Sequence, residues 1–151
     1  MKKQLAFILI ILSVFSSSAF SENLELAAYN GEKGKVIKIL RSKPDPDHRD
    51  SFGGTALHGA MFQKDISIII ILLDYGFDPN AKGLKNGYTP LHDAVWGSNL
   101  EAVKVLLNRG SKPDIKNRDG LTAYELAVKE GKNQIAEYIK LFSEKNGLNF
   151  R

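Results

Sequence analysis

The 151-residue chain contains no cysteine. That absence excludes disulfides, thiolate metal sites, a cysteine nucleophile and a lipid-modified bacterial N-terminus. A large excess of one charge is also missing: 21 Lys and Arg face 17 Asp and Glu. Two of those bases, Lys2 and Lys3, lie in the first few residues, and the remainder is nearly balanced. Such a balance gives no electrostatic case for nucleic acid or an anionic membrane as the partner. No serine stands in a Gly-x-Ser-x-Gly elbow, no glycine loop is built to cradle phosphate, and no carboxylate pair stands out. Enzymatic activity and a cofactor are therefore not expected. No apolar run approaches the roughly 20 residues of a spanning helix. Still, 43% of residues are hydrophobic and they are spread along the chain, so a single folded domain is expected rather than disorder.

The first 21 residues have the three-part order of a secretory signal peptide. Lys2 and Lys3 precede an apolar run from Leu5 to Phe15 broken only by Ser13, followed by Ser16, Ser17, Ser18, Ala19 and Ser21. Ala19 and Ser21 suit the two subsites of a signal peptidase, which predicts a cut after Ser21, with a cut after Ala19 as the alternative. The short apolar segment looks bacterial, and a cysteine-free mature chain from residue 22 suits the periplasm. Release into the medium is the alternative destination. No stable membrane insertion is expected once the leader is removed.

The remainder repeats itself. Gly54-Thr55-Ala56-Leu57-His58-Gly59-Ala60 aligns with Tyr88-Thr89-Pro90-Leu91-His92-Asp93-Ala94 and with Leu121-Thr122-Ala123-Tyr124-Glu125-Leu126-Ala127. Nine residues after each final alanine stands Ile69, Val103 or Ala136, and three further on Leu72, Leu106 or Ile139. The same offsets run backwards to Ala27, Val36 and Ile39, giving four units. With a period near 33 and Thr-Pro-Leu-His-x-Ala matched in full at residues 89 to 94, the chain resembles the ankyrin repeat family from residue 24 to about 142. The resemblance implies an all-α solenoid of four stacked helix-turn-helix units joined by short hairpin loops. The units span about 22–50, 51–84, 85–117 and 118–146.

The residue types have physical reasons to be there. Thr89 suits a helix N-cap and Pro90 the first helical position, where its missing N–H costs nothing. Thr122 and Glu125 match a capping box. Gly76 and Gly110 follow second helices, where a left-handed residue ends a helix without a Cβ clash. The run Ile66 to Leu73 is too short to span a bilayer and is read as a core helix. Ile70 falls where the family usually carries an outward polar residue. The first and fourth units depart most from the pattern and are charged, as expected of capping repeats.

Of the three histidines, His58 and His92 hold the family's His position, where the resemblance implies a bond to neighbouring loop backbone. At roughly 10 Å per repeat they cannot share one metal ion. His48 lies beside Asp45, Asp47 and Asp50, but the spacing lacks a calcium loop's closing glutamate. These aspartates read as turn residues, and no metal site is expected.

Two residues beyond each aligned alanine stand Tyr29, Phe62, Trp96 and Lys129. The resemblance places this position on the first helix, facing the concave surface, so three consecutive repeats put rings side by side along a groove. The same resemblance implies hairpin tips overhanging it, with Phe52 and Tyr88 among Lys85, Asn86, Arg118, Asp119 and Leu121; Gln63 adjoins Phe62. Exposed aromatic residues and arginine carry much of the energy of protein interfaces. The expected function is binding of another protein by a monomer, with Trp96 and Phe62 as anchors and Tyr88, Arg118 and Asp119 fixing register. Phe52 is the ring best suited to simple packing between repeats.

Overall fold

The computed structural model describes residues 23–148, so the expected leader lies outside the described residues. Four helix pairs follow in order: α1 (Leu24–Tyr29) with α2 (Lys33–Leu40), α3 (Ala56–Ala60) with α4 (Ser67–Tyr75), α5 (Pro90–Trp96) with α6 (Leu100–Asn108), and α7 (Ala123–Lys129) with α8 (Asn133–Lys145). Among the described residues there is no strand, and no helix is long and apolar enough to cross a membrane. First helices pack on first helices, α1 on α3, α3 on α5 and α5 on α7, and α2 packs on α4 as α6 does on α8. The result is a two-layered helical stack.

The short first helices owe their existence to their starts. Thr55, Thr89 and Thr122 are N-caps in extended conformation, each in a capping box. In the first two boxes the usual Glu or Gln is replaced by histidine: the Thr55 N–H donates to Nδ1 of His58 at 3.1 Å, and the Thr89 N–H to Nδ1 of His92 at 3.3 Å. In the last, Thr122 pairs with Glu125, whose carboxylate accepts from the Thr122 N–H at 2.7 Å. A five-residue helix is too short to stand alone, so these caps and the packing of its neighbours hold it. Gly76 ends α4 at φ 110°, a left-handed value that a β-carbon would disfavour.

The core is the repeat pattern made physical. Ala27, Ala60, Ala94 and Ala127 are all at most 1% exposed, and behind them Val36 with Ile39, Ile69 with Leu72, Val103 with Leu106, and Ala136 with Ile139 are buried. In α4, Ile68, Ile69 and Leu72 are fully buried, while Ile70 is half-buried rather than outward-facing. The small residue at Gly59 brings α1 and α3 together. A β-carbon there would stand 3.1 Å from the Glu25 carbonyl oxygen and 3.3 Å from Tyr29 Cβ.

Tight turns join the pairs. The Asp50 N–H donates to the Gly54 carbonyl, the Gly83 N–H to Tyr88 and the Asn117 N–H to Leu121. Asp50 Oδ1 accepts from the amides of Phe52 and Gly54, so this aspartate is a turn residue. Neighbouring turns are sewn to one another by Leu84 N–H to Gly53 carbonyl and Arg118 N–H to Asn86 carbonyl, each at 3.0 Å.

Candidate functional site

The exposed aromatic side chains gather on the first-helix face and at the turns, while Ile37, Leu141 and Leu148 are exposed elsewhere. Leu26 and Tyr29 on α1, Trp96 on α5 and Phe62, which lies in the turn just after α3 rather than on the helix, are between 42% and 55% exposed, and Phe52 and Leu84 extend the patch from the turns. Lys129 is exposed on α7 in the same register. Tyr29 and Phe62 meet at 5.9 Å between centroids, tilted by 59°. Trp96 has no ring partner among the described residues, so the row of three is a pair and a single ring.

Phe52, read as a hairpin-tip contact and also as the ring best suited to packing, does not pack between repeats: it is 76% exposed, and the Lys85 ammonium stands 5.3 Å above its ring. Several other residues expected to reach for a partner are instead tied into the protein. The Gln63 side-chain amide donates to the Tyr29 carbonyl, while the Gln63 backbone carbonyl accepts from the Asn99 side chain at 2.7 Å, so it links three repeats. Arg118 directs its guanidinium back to the preceding turn, onto the carbonyls of Lys85, at 2.6 Å, and Leu84. Asn86 folds onto the Tyr88 amide at 2.9 Å. Leu121 is half-buried against the core, and its carbonyl accepts from Nε2 of His92 at 3.0 Å. Tyr88 is half-buried and stacks on His92 at 5.3 Å. Asp119 remains exposed.

His58 and His92 are structural, each a bridge between repeats. His58 Nε2 donates to the Tyr88 carbonyl at 3.1 Å, as His92 does to Leu121. With Nδ1 accepting from the threonine amide, each ring is held as the neutral Nε2–H tautomer. Burial pushes the His58 pKa down to about 4 and lowers that of His92, against the carbonyl bonds that favour the proton. His48 behaves oppositely: its Nδ1 lies 2.9 Å from Oε1 of Glu25, and that bond and charge raise its pKa. No group of His, Asp and Glu able to hold a metal ion occurs among the described residues.

Two features of the face were hidden in the sequence. The first is Asp93, whose carboxyl has no hydrogen-bond partner among the described residues and which burial pushes up to about 7. Burial also raises the Tyr88 phenol, assisted by the charges of Asp119, Asp93 and Glu130. The second is a hollow of about 630 Å³ where α1, α3 and the first turn meet. Asn23, Glu25, Leu26 and Tyr29 line it from α1 and its cap, and Asp50, Ser51, Phe52 and Gly59 from the turn and α3. This concavity lies over the first two repeats, lined by Tyr29 and Phe52 and not by Trp96.

A layered stack of helix pairs with a partly apolar face defines a helical-repeat scaffold. A family model described as Ankyrin repeats (3 copies) matches residues 24–117, and the chain belongs to the ankyrin repeat family. Its repeats are a protein–protein interaction module. The fourth pair, α7 and α8, continues the same stack beyond the matched residues. No curated protein matches the chain.

Proposed function

We propose that the protein works in a bacterial envelope, where it binds a partner protein through the first-helix face and covers part of that partner's surface, as an inhibitor, an immunity protein or a protective cap would. The carrying observation is the concentration of exposed rings on this one face. Leu26, Tyr29, Phe52, Phe62 and Trp96 are presented by helices and turns that neighbouring repeats hold in place. A preformed face loses little conformational entropy on binding, and its exposed rings gain from being dried. Export is supported by Lys2, Lys3, the apolar run and the small residues up to Ser21.

The test expresses the full chain with its leader and a C-terminal tag, then recovers it separately from periplasm and medium. N-terminal mass identifies processing after Ser21 or Ala19. Partners are cross-linked, identified, and compared with those held by a Phe62→Ala, Trp96→Ala double variant. Loss of a specific partner at unchanged melting temperature supports the reading. Retention of every partner by the variant refutes the role of the face, and accumulation in the medium alone refutes the envelope location.

A further inference from the structure

Asparagine followed by glycine occurs three times, at Asn30-Gly31, Asn86-Gly87 and Asn146-Gly147. In such a pair the glycine nitrogen can close on the asparagine side chain, because no β-carbon screens it and glycine leaves the backbone free to turn. Folding opposes that closure wherever it ties the side chain or buries the nitrogen. Gly87 is buried, and its N–H donates to the Gly83 carbonyl at 3.0 Å. Asn86 Oδ1 accepts from the Tyr88 amide at 2.9 Å and the Asn86 carbonyl from the Arg118 N–H at 3.0 Å, so side chain and backbone are both held. Asn146 holds its side-chain amide on the Phe142 carbonyl at 2.7 Å. Asn30 differs. It caps the end of α1, both it and Gly31 are exposed, and its side chain has no hydrogen-bond partner among the described residues. The attacking nitrogen is held by one bond, from the Gly31 N–H to the Ala28 carbonyl at 3.2 Å.

We infer that Asn30 is a site of covalent modification, deamidation through a cyclic imide with Gly31, which places an acid beside Tyr29. The Gly31 nitrogen bonds to Cγ of Asn30, the Cγ–Nδ2 bond breaks, and the proton of the Gly31 N–H leaves with the departing nitrogen as ammonia. Water then opens the imide at either carbonyl, giving aspartate or isoaspartate. Both products put a carboxylate at the carbonyl end of α1, where negative charge is disfavoured. Isoaspartate also adds a carbon to the backbone between α1 and α2. That turn has little slack: Gly31 holds φ 74°, and a β-carbon on it would stand 2.7 Å from Gln63 Oε1. Modification therefore loosens the first helix pair. The inference goes beyond the proposed function and does not depend on what the face binds.

The experiment incubates the purified protein in mildly alkaline buffer, folded and in guanidinium, and digests portions with trypsin over time. Cleavage after Lys33, Lys85, Lys104 and Lys145 leaves each Asn-Gly pair in its own peptide, and mass spectrometry reads the difference between amide and acid. The rate in guanidinium divided by the rate in the folded protein gives the protection of each asparagine, and the influence of neighbouring sequence cancels in that ratio. Protection of Asn86 should exceed that of Asn30 by at least about fivefold. Asn30→Ser should remove the conversion in the Lys33 peptide and leave that of Asn86 unchanged, since the Asn30 side chain holds nothing in place. Equal protection of the two asparagines, or an Asn30 that converts in guanidinium and not in the folded protein, would overturn the inference.

Discussion

Nδ1 of His48 lies 2.9 Å from Oε1 of Glu25, so a mostly exposed loop histidine closes over a buried carboxylate 23 residues earlier on α1. The contact fastens the first helix to the loop that follows α2. Since the pKa of His48 is raised above 6.5, the pair's contribution is complete below that value and is lost as pH rises through the folded pKa. His48→Ala should lower the melting temperature at pH 5.5 and have a smaller effect at pH 8.5. With so exposed a partner, the contribution at low pH should be at most about 1 kcal/mol. Thermal melts of both proteins across that range check it.

Asp93 predicts a pH effect at the centre of the face. Its folded pKa, pushed up to about 7, exceeds the ordinary 3.8. Stability is therefore complete below the ordinary value and declines as pH rises toward 7, because the native state must then ionise a desolvated carboxyl. Asp93→Asn should stabilise the protein at pH 8 by about 1–2 kcal/mol and confer little at pH 4. Urea melts at the two pH values measure the difference.

The two bridging histidines should act in acid. Their folded pKa values are lowered, that of His58 to about 4, so their contribution is full above about 6.5 and is lost as pH falls through the folded values, when protonation adds charge to a buried ring. His92→Ala removes a fully buried ring that joins Thr89 to Leu121, and should cost about 3 kcal/mol at pH 7. Far-ultraviolet circular dichroism during denaturation reads it, and the variant should show a flatter stability profile as pH falls below about 6.5.

Trp96 and Phe62 should separate binding from folding. Trp96 is 54% exposed without a ring partner, so Trp96→Ala should change stability by no more than about 0.5 kcal/mol. Phe62→Ala removes the contact with Tyr29 and should cost about 1 kcal/mol. A larger loss for Trp96 in a calorimetric melt would mean that its ring packs rather than binds.

Gly53 should tolerate no β-carbon. Its φ is 85°, and a Cβ would stand 2.7 Å from Leu84 Cβ and 3.1 Å from the Leu84 nitrogen, whose N–H donates to the Gly53 carbonyl. Gly53→Ala combines backbone strain with a wedge between turns, and should destabilise by about 1–2 kcal/mol. Faster amide exchange at Leu84 would locate the damage.

Much of the architecture is local and was legible in the chain. The period near 33 residues, the threonine caps and the left-handed glycine after α4 each act within a turn or two of backbone, and the alanine ladder from Ala27 to Ala127 follows from them. The site was only partly legible. Exposure at Tyr29, Phe62, Trp96 and Lys129 followed the register. What these and neighbouring side chains touch depends on reach between repeats, about 33 residues apart in sequence. Stacking distance decided that Gln63 and Arg118 bond backward to carbonyls and that Phe52 stays in solvent. The same cause acts on one repeat position: Ala28, Met61 and Val95 are fully buried because another pair stacks on each, whereas Val128, uncovered among the described residues, is 54% exposed. Sequence alone fixed the identity of each unit; the packing of one unit on the next decided which polar groups were satisfied, that the Asp93 carboxyl became partly desolvated, and where the face opened into a hollow.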